Sequence, residues 1–307
     1  MDFGRVDDLG ALPPGAFCLP PDASATASVL GTFALGGARP RLHVGAPVWA
    51  HPKLARRLTP PSVKGLDVLR QYARGFDTLE LNSTFYTDPA DELSRLRPAV
   101  DPDFTFAPKL PRSITHDARL VDVDREVERF ALGLEALGCS RGPCWLLTPP
   151  GFGPDEGDRL ERFVESHAPL LSPLAIELRE PAWFERSGPL ERLCDVFERH
   201  GVGLVITDVL GRRDVCHMRL TAPWAFVRFT GNALHPTDYT RLDAWFERLE
   251  AWFEAGLREV WFFLHQPDEG LVVELAQRLA CLAEERLGIE LRRPAPREIE
   301  QQHELFG

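Results

Sequence analysis

The sequence predicts an α/β fold, a (β/α)8 TIM-type barrel with an irregular N-terminal extension. The first observation is a repeat. From Leu42 onward eight short apolar runs alternate with amphipathic segments, each run followed by a helix or by a loop in its place. The second is size, since the repeat runs from Arg41 to Ile289 and a barrel of this class takes about 250 residues. The third lies inside the strands. In Leu79-Glu80-Leu81-Asn82, and again in Ile176-Glu177-Leu178-Arg179, apolar side chains alternate with ionisable or amide ones. Side chains alternate across a strand, so each segment has one apolar and one polar face. Strands of an ordinary parallel sheet are apolar on both faces, because an unpaired buried charge is costly. Two polar-faced strands therefore imply polar groups converging inside a closed sheet.

Residues 1–40 are rich in Pro, Gly, Ala and Ser, and Pro13-Pro14-Gly15 and Pro20-Pro21 break any regular element. They are expected to form an extension that wraps the domain or stays mobile. Strands follow near 42–46, 77–82, 103–108, 143–148, 173–179, 202–207, 224–229 and 259–265. Helices are predicted near 64–74, 90–97, 122–137, 155–167, 188–200, 238–254 and 269–286. Leu190, Leu193, Val196, Phe197 and His200 make one apolar stripe, which Gly201 terminates. Leu242, Trp245, Phe246, Leu249, Trp252 and Phe253 make another. Asp155 and Thr237 stand where caps are wanted. The link after the sixth strand, 208–220, carries Gly211, Arg212, Arg213 and Asp214 without a helical stripe. It reads as an irregular loop over one end of the barrel, where function usually resides. The barrel domain is thus 41–289, and residues 290–307, rich in Arg, Glu and Gln, read as a solvated charged tail.

A chain that is 44% hydrophobic and 26% charged has the composition of an ordinary soluble globular protein. Its net charge of -11 argues against a nucleic acid or an anionic membrane as partner, since either calls for a basic face. Cys18, Cys139, Cys144, Cys194, Cys216 and Cys281 are scattered without a CxxC pair or metal-ligand spacing, and are expected to be free structural thiols. No apolar run approaches the roughly 18 residues of a membrane span. The N-terminus has no basic region followed by an apolar core, so a cytoplasmic location is expected.

Side chains at the C-terminal ends of barrel strands point to a shared mouth. That places Glu80 and Asn82 (second strand), Lys109 (third), Glu177 and Arg179 (fifth), Asp208 (sixth), Arg228 (seventh) and His265 (eighth) together, with Arg112 and His116 just beyond the third. Cations gathered at the mouth of an acidic protein imply a bound carboxylate or phosphate. In this reading the protein is an enzyme acting on a small anionic or sugar-like metabolite, with Lys109, Arg179 and Arg228 binding the anion and Asn82 orienting the substrate. Glu80 and Glu177 act as acid and base, and His116 moves a proton. Tyr86 and Trp183 are site walls, while Asp208 and His265 contact the ligand or merely cap and bond their own loops. Three alternatives stand beside it. Glu80, Glu177, Arg179 and Arg228 could form a buried ion-pair network that only fixes register. Glu80, Glu177, Asp208 and His265 could serve a metal-dependent isomerase or phosphoesterase, although interleaved Arg and Lys would repel a cation and no HxH or HExxH spacing occurs. A non-catalytic binding or scaffold protein could keep a degenerate pocket. No GxGxxG, P-loop or Gly-x-Ser-x-Gly elbow is present, so no cofactor is expected. The expected partner is a small anionic molecule, and the sequence leaves the oligomeric state open.

The order Val44-Gly45…Trp49, Leu79-Glu80-Leu81-Asn82-Ser83-Thr84-Phe85-Tyr86, Phe106-Ala107-Pro108-Lys109 and Thr115-His116 resembles the YecE-like family, the domain of unknown function 72. Pro149-Pro150-Gly151-Phe152, Glu177-Leu178-Arg179…Trp183 and Val227-Arg228-Phe229…Gly231 continue the resemblance over about residues 42–286. It implies a TIM-type barrel and leaves activity open, the family's function not being established. The chain departs from the family pattern at Thr87, at Leu146-Leu147-Thr148 before the Pro-Pro pair, at Thr230, and at Leu264 and His265. These departures imply either a different substrate or a partial loss of activity.

Overall fold

The computed structural model describes residues 4, 6, 8–33, 39–185 and 188–297. Its strands are β1 (Arg41–Ala46), β2 (Thr78–Leu81), β3 (Thr105–Pro108), β4 (Cys144–Leu147), β5 (Leu174–Glu177), β6 (Gly203–Leu204), β7 (Ile206–Asp208), β8 (Trp224–Thr230) and β9 (Glu259–His265). All pair in parallel, in a six-stranded sheet of order β3-β2-β1-β9-β8-β7 and a three-stranded sheet of order β4-β5-β6. The sixth strand read from the sequence is thus two short strands, separated by Val205 alone. Parallel bridges Phe106↔Arg141 and Lys109↔Trp145 link the edge of the larger sheet to the β4 side of the smaller.

The helices are α1 (Ser24–Phe33), α2 (Pro52–Leu58), α3 (Leu66–Gly75), α4 (Pro89–Leu96), α5 (Asp124–Glu135), α6 (Gly157–Leu171), α7 (Pro189–His200), α8 (Pro236–Ala255) and α9 (Val272–Leu282). The predicted stripes are the buried faces: Leu193, Val196 and Phe197 on α7, and Leu242, Trp245, Phe246, Leu249 and Trp252 on α8. Gly201 ends α7 in the left-handed conformation that favours glycine. Two caps differ from expectation. His235, not Thr237, caps α8, accepting from the Thr237 amide, and Asp155 lies inside a short turn before α6. None of these helices is long and apolar enough to cross a membrane, and all six cysteines are free thiols.

The described part of the extension packs against the domain. The extension contains α1, whose Thr26 Oγ1 donates to Met218 O at 2.8 Å and accepts from Leu220 N at 3.1 Å. Trp252 Nε1 of α8 donates to Asp22 at 3.2 Å. Burial of Val29 and Leu30 overrides the weak local pattern. Of the predicted tail, residues 290–297 pack rather than float, with Leu291 buried and Arg297 N donating to Arg57 O at 2.8 Å. Residues 298–307 lie outside the described residues.

The apolar residues fall into two clusters. Leu79, Leu81, Ile176, Leu178, Val227 and Phe229 join the large core shared with the helices. Ala107, Trp145, Leu147, Ala175, Val205, Phe226, Trp261 and Phe263 form a second cluster on the other face of the strands. That second face is the one that carries Glu80, Glu177 and Arg228.

Candidate active site

The alternation read from β2, β5 and β8 brings three charges together. Arg228 Nε and Nη2 donate to the two oxygens of Glu80 at 2.9 and 3.0 Å, and Nη1 donates to Glu177 Oε2 at 2.8 Å. Glu177 Oε1 accepts from Arg179 Nε at 2.7 Å and Thr207 Oγ1 at 2.9 Å. Asn82 Nδ2 donates to Glu80 Oε1 at 3.0 Å, and His265 Nε2 meets Glu80 Oε2 at 3.1 Å. Both carboxylates are fully buried. Burial by itself would raise their pKa values, but the cations prevail. Arg228 and His265 hold Glu80 well below the usual range, and Arg179 and Arg228 bring Glu177 down to about 2. The glutamates in turn raise Arg228 against the pull of burial. His265, partly buried, is lowered by burial despite Glu80.

Lys109 is treated differently. Its side chain is buried, and Nζ sits 4.4 Å from the ring centre of Phe85 and 4.8 Å from that of Trp145. Among the described residues no hydrogen bond or ion pair reaches this ammonium. Burial, then the charge of Arg228, lowers its pKa to about 8, against the pull of Glu177 and Glu80. A cavity of about 260 Å³ opens here, lined by Pro47, Val48, Glu80, Asn82, Phe85, Tyr86, Lys109, Arg228, His265 and Glu269. A cavity of about 620 Å³ is lined by His116, Leu147, Thr148, Pro149, Pro150, Gly151, Arg179, Glu180, Pro181, Arg212 and Asp214. The edge-to-face pair Phe85–His116, with ring centres 5.0 Å apart, links residues of the two. His116 is lowered by burial and by the nearby charges of Lys109 and Arg112.

The remaining predicted site residues are placed as follows. Tyr86 is 78% exposed at the rim. Trp183 lines neither of these cavities; it is buried, with Nε1 donating to Phe152 O at 2.8 Å. Asp208 faces α8, where its carboxylate pairs with Arg241 at 2.9 Å and accepts from Trp245 Nε1 at 2.8 Å. Arg112 is exposed and pairs with Asp117 at 3.1 Å. Of the departures from the family pattern, Leu147 lines the larger cavity, Leu264 packs in the outer core and Thr87 is exposed. Among the described residues no group of three His, Cys, Asp or Glu side chains is arranged to hold a metal. Asp208 stands apart, and the Arg228 guanidinium bonds both glutamates of that set.

Two residues escaped the sequence reading. Thr207 falls beside Arg228 in the β7–β8 register, a position that strand alternation alone could have flagged. Glu269 reads from the sequence only as the start of a helix over 269–286; it lies in a short turn, Glu269–Leu271, ahead of α9. Its Oε2 is buried without a hydrogen-bond partner among the described residues, and burial raises its pKa to about 7, helped by Glu80 and Asp268.

Residues 43–300 match the family model described as "Protein of unknown function DUF72". The chain belongs to the DUF72 family. It is 30% identical over 257 residues to UPF0759 protein YecE of Escherichia coli K12, covering 78% of this chain and 91% of that protein. The O157:H7 counterpart matches to the same extent. A crystal structure of a DUF72 family protein from Enterococcus faecalis V583 superposes with a TM-score of 0.65 at 16% identity, covering 84% of this chain and 100% of that one. A second crystal structure of that protein gives a TM-score of 0.62. At that identity the likeness speaks to DUF72 fold and not to chemistry.

Proposed function

We propose that this DUF72 member is an enzyme that binds a small anionic metabolite at the C-terminal ends of its strands and acts on it by proton transfer. The observation that carries the reading is Lys109, a buried ammonium facing a cavity with two aromatic rings and, among the described residues, no paired carboxylate. A charge removed from water without a counter-ion is costly, and an incoming anion supplies one. Arg228 is less suited to that task, because Glu80 and Glu177 already take three of its five donors and balance its charge. Those two carboxylates, held ionised, position Arg228, Arg179 and Asn82 rather than carry the proton. His265, His116 and Glu269 are the groups left to carry it, and Glu269 is raised to about 7. Closure of the strands into a (β/α)8 barrel belongs to the same proposal. It is supported by the bridges from β3 to the β4 side, by β6 and β7 running on through Val205, and by the separate apolar cluster on the polar-residue face.

The test is a thermal-shift series with inorganic phosphate, dicarboxylates, 2-oxo acids and sugar phosphates. At 100 times its Kd a ligand stabilises by about 2.7 kcal/mol. At least one of these anions is expected to give a saturable upshift with the wild type and none with Lys109→Met. An upshift that survives Lys109→Met, or its absence throughout, would sink the reading.

A further inference from the structure

We propose that Lys109 is an amine nucleophile that forms an iminium linkage with the carbonyl carbon of a small anionic aldehyde or ketone, Glu269 carrying the proton. This rests on the reading that the mouth is the working site and names its substrate class. The first support is residue choice. The chain has 32 arginines and three lysines, Lys53, Lys64 and Lys109. Where only a fixed positive charge is needed, this sequence uses arginine, which does not lose its proton. Lys53 and Lys64 are exposed, and Lys53 pairs with Asp268 at 2.7 Å. Lys109 alone of the three is buried and faces a cavity.

The second support is the surroundings of Nζ. Ring faces at 4.4 and 4.8 Å tolerate the cation without fixing it, so little is lost when it becomes the amine. An ion-paired lysine would have to break that pair first. With its pKa near 8, about a tenth of the side chain is free amine at pH 7. The third support is Glu269, which lines the same cavity with a buried oxygen that lacks a partner among the described residues.

The step balances as follows. The amine lone pair forms a C–N bond while the C=O π bond breaks, giving a carbinolamine once the nitrogen's proton has passed to the oxygen. Protonated Glu269 then gives its proton to that oxygen, which leaves as water as the nitrogen lone pair closes the C=N bond. The product iminium keeps the positive charge at Nζ, so an anionic group drawn to Lys109 stays paired throughout. Glu269, now a carboxylate, is the base available to take a proton from the adjacent carbon.

The experiment reacts the folded full chain with glyoxylate, pyruvate or dihydroxyacetone phosphate and sodium borohydride, then maps the reduced adduct by peptide mass spectrometry. With at least one probe, Lys109 is expected to be labelled at least tenfold faster than Lys53 and Lys64, an excess that disappears in urea. Lys109→Arg should abolish the excess, and Glu269→Gln should slow it at least tenfold. Uniform labelling of the three lysines, by probes that still shift the thermal transition, would overturn the iminium and leave anion binding standing. Uniform labelling with no thermal shift from any anion overturns both. An unchanged rate in Glu269→Gln removes Glu269 from its role.

Discussion

Replacing Arg228 with Met should reverse the pH dependence of stability in acid. In the wild type, Glu177 titrates at about 2 instead of its ordinary 4.5, a difference worth about 3 kcal/mol at neutral pH. Its folded-state value is depressed, so that contribution is present above the unfolded pKa of about 4.3 and fades as pH falls toward 2. Glu80, lowered by the same guanidinium, adds in the same direction. Without Arg228 two buried carboxylates face one another with only His265, Arg179, Thr207 and Asn82 to satisfy them. Removing one partner of a buried pair costs about 3–5 kcal/mol, a large share of the roughly 5–15 kcal/mol that holds a domain folded. Glu177 keeps Arg179, the larger of its two cationic partners, but burial then dominates Glu80 and raises it, so the variant loses stability as pH rises from 4 toward 8, where the wild type holds its own. Urea denaturation between pH 3 and 8 measures both curves. The neutral triple variant Glu80→Gln/Glu177→Gln/Arg228→Met should recover most of the loss, since replacing a whole buried network is often near neutral. A loss in Arg228→Met below about 1 kcal/mol, with the wild-type pH slope intact, would refute the reasoning that these charges depend on one another.

Two further outcomes follow from the placement of residues around the mouth. Trp183→Phe loses the bond to Phe152 O and should cost about 1–2 kcal/mol in urea denaturation while leaving the anion-induced thermal shift unchanged. A lost shift with full stability would return Trp183 to the site wall. Deleting residues 1–22 removes Gly4 O, which accepts from Gly211 N at 3.1 Å, and Cys18 O, which accepts from Arg213 Nη2 at 2.6 Å. Trypsin should then cut at Arg212 or Arg213 at least about tenfold faster, because local opening of the 210–215 turn becomes easier. An unchanged cutting rate would mean that the turn is held by its other contacts.

The amino-acid sequence by itself determined the order of the strands and of helices α3 to α9, the buried stripes of α7 and α8, and the family, but not α1 or α2. It also determined that Glu80, Glu177 and Arg228 share a face, because a period of two is a property of any strand. Only the tertiary structure decided what those charges do to one another. Glu80 and Arg228 are 148 residues apart in the chain yet bonded twice, and no local pattern records which donors a guanidinium spends. The same holds for Asp208, which follows the strand end as expected but turns to α8, where Arg241 and Trp245 outbid the mouth. Glu269 reads from the sequence only as the first residue of a helix, and nothing in that pattern says that its carboxylate lines the mouth. Helix α1 and the packing of residues 290–297 were not legible because composition reports local propensity, whereas both are ordered by what they are packed against. Lys109 shows both halves of the lesson. Its place at the end of β3 is written in the sequence, but that no carboxylate among the described residues pairs with it is a fact about space, and that fact gives it a chemistry.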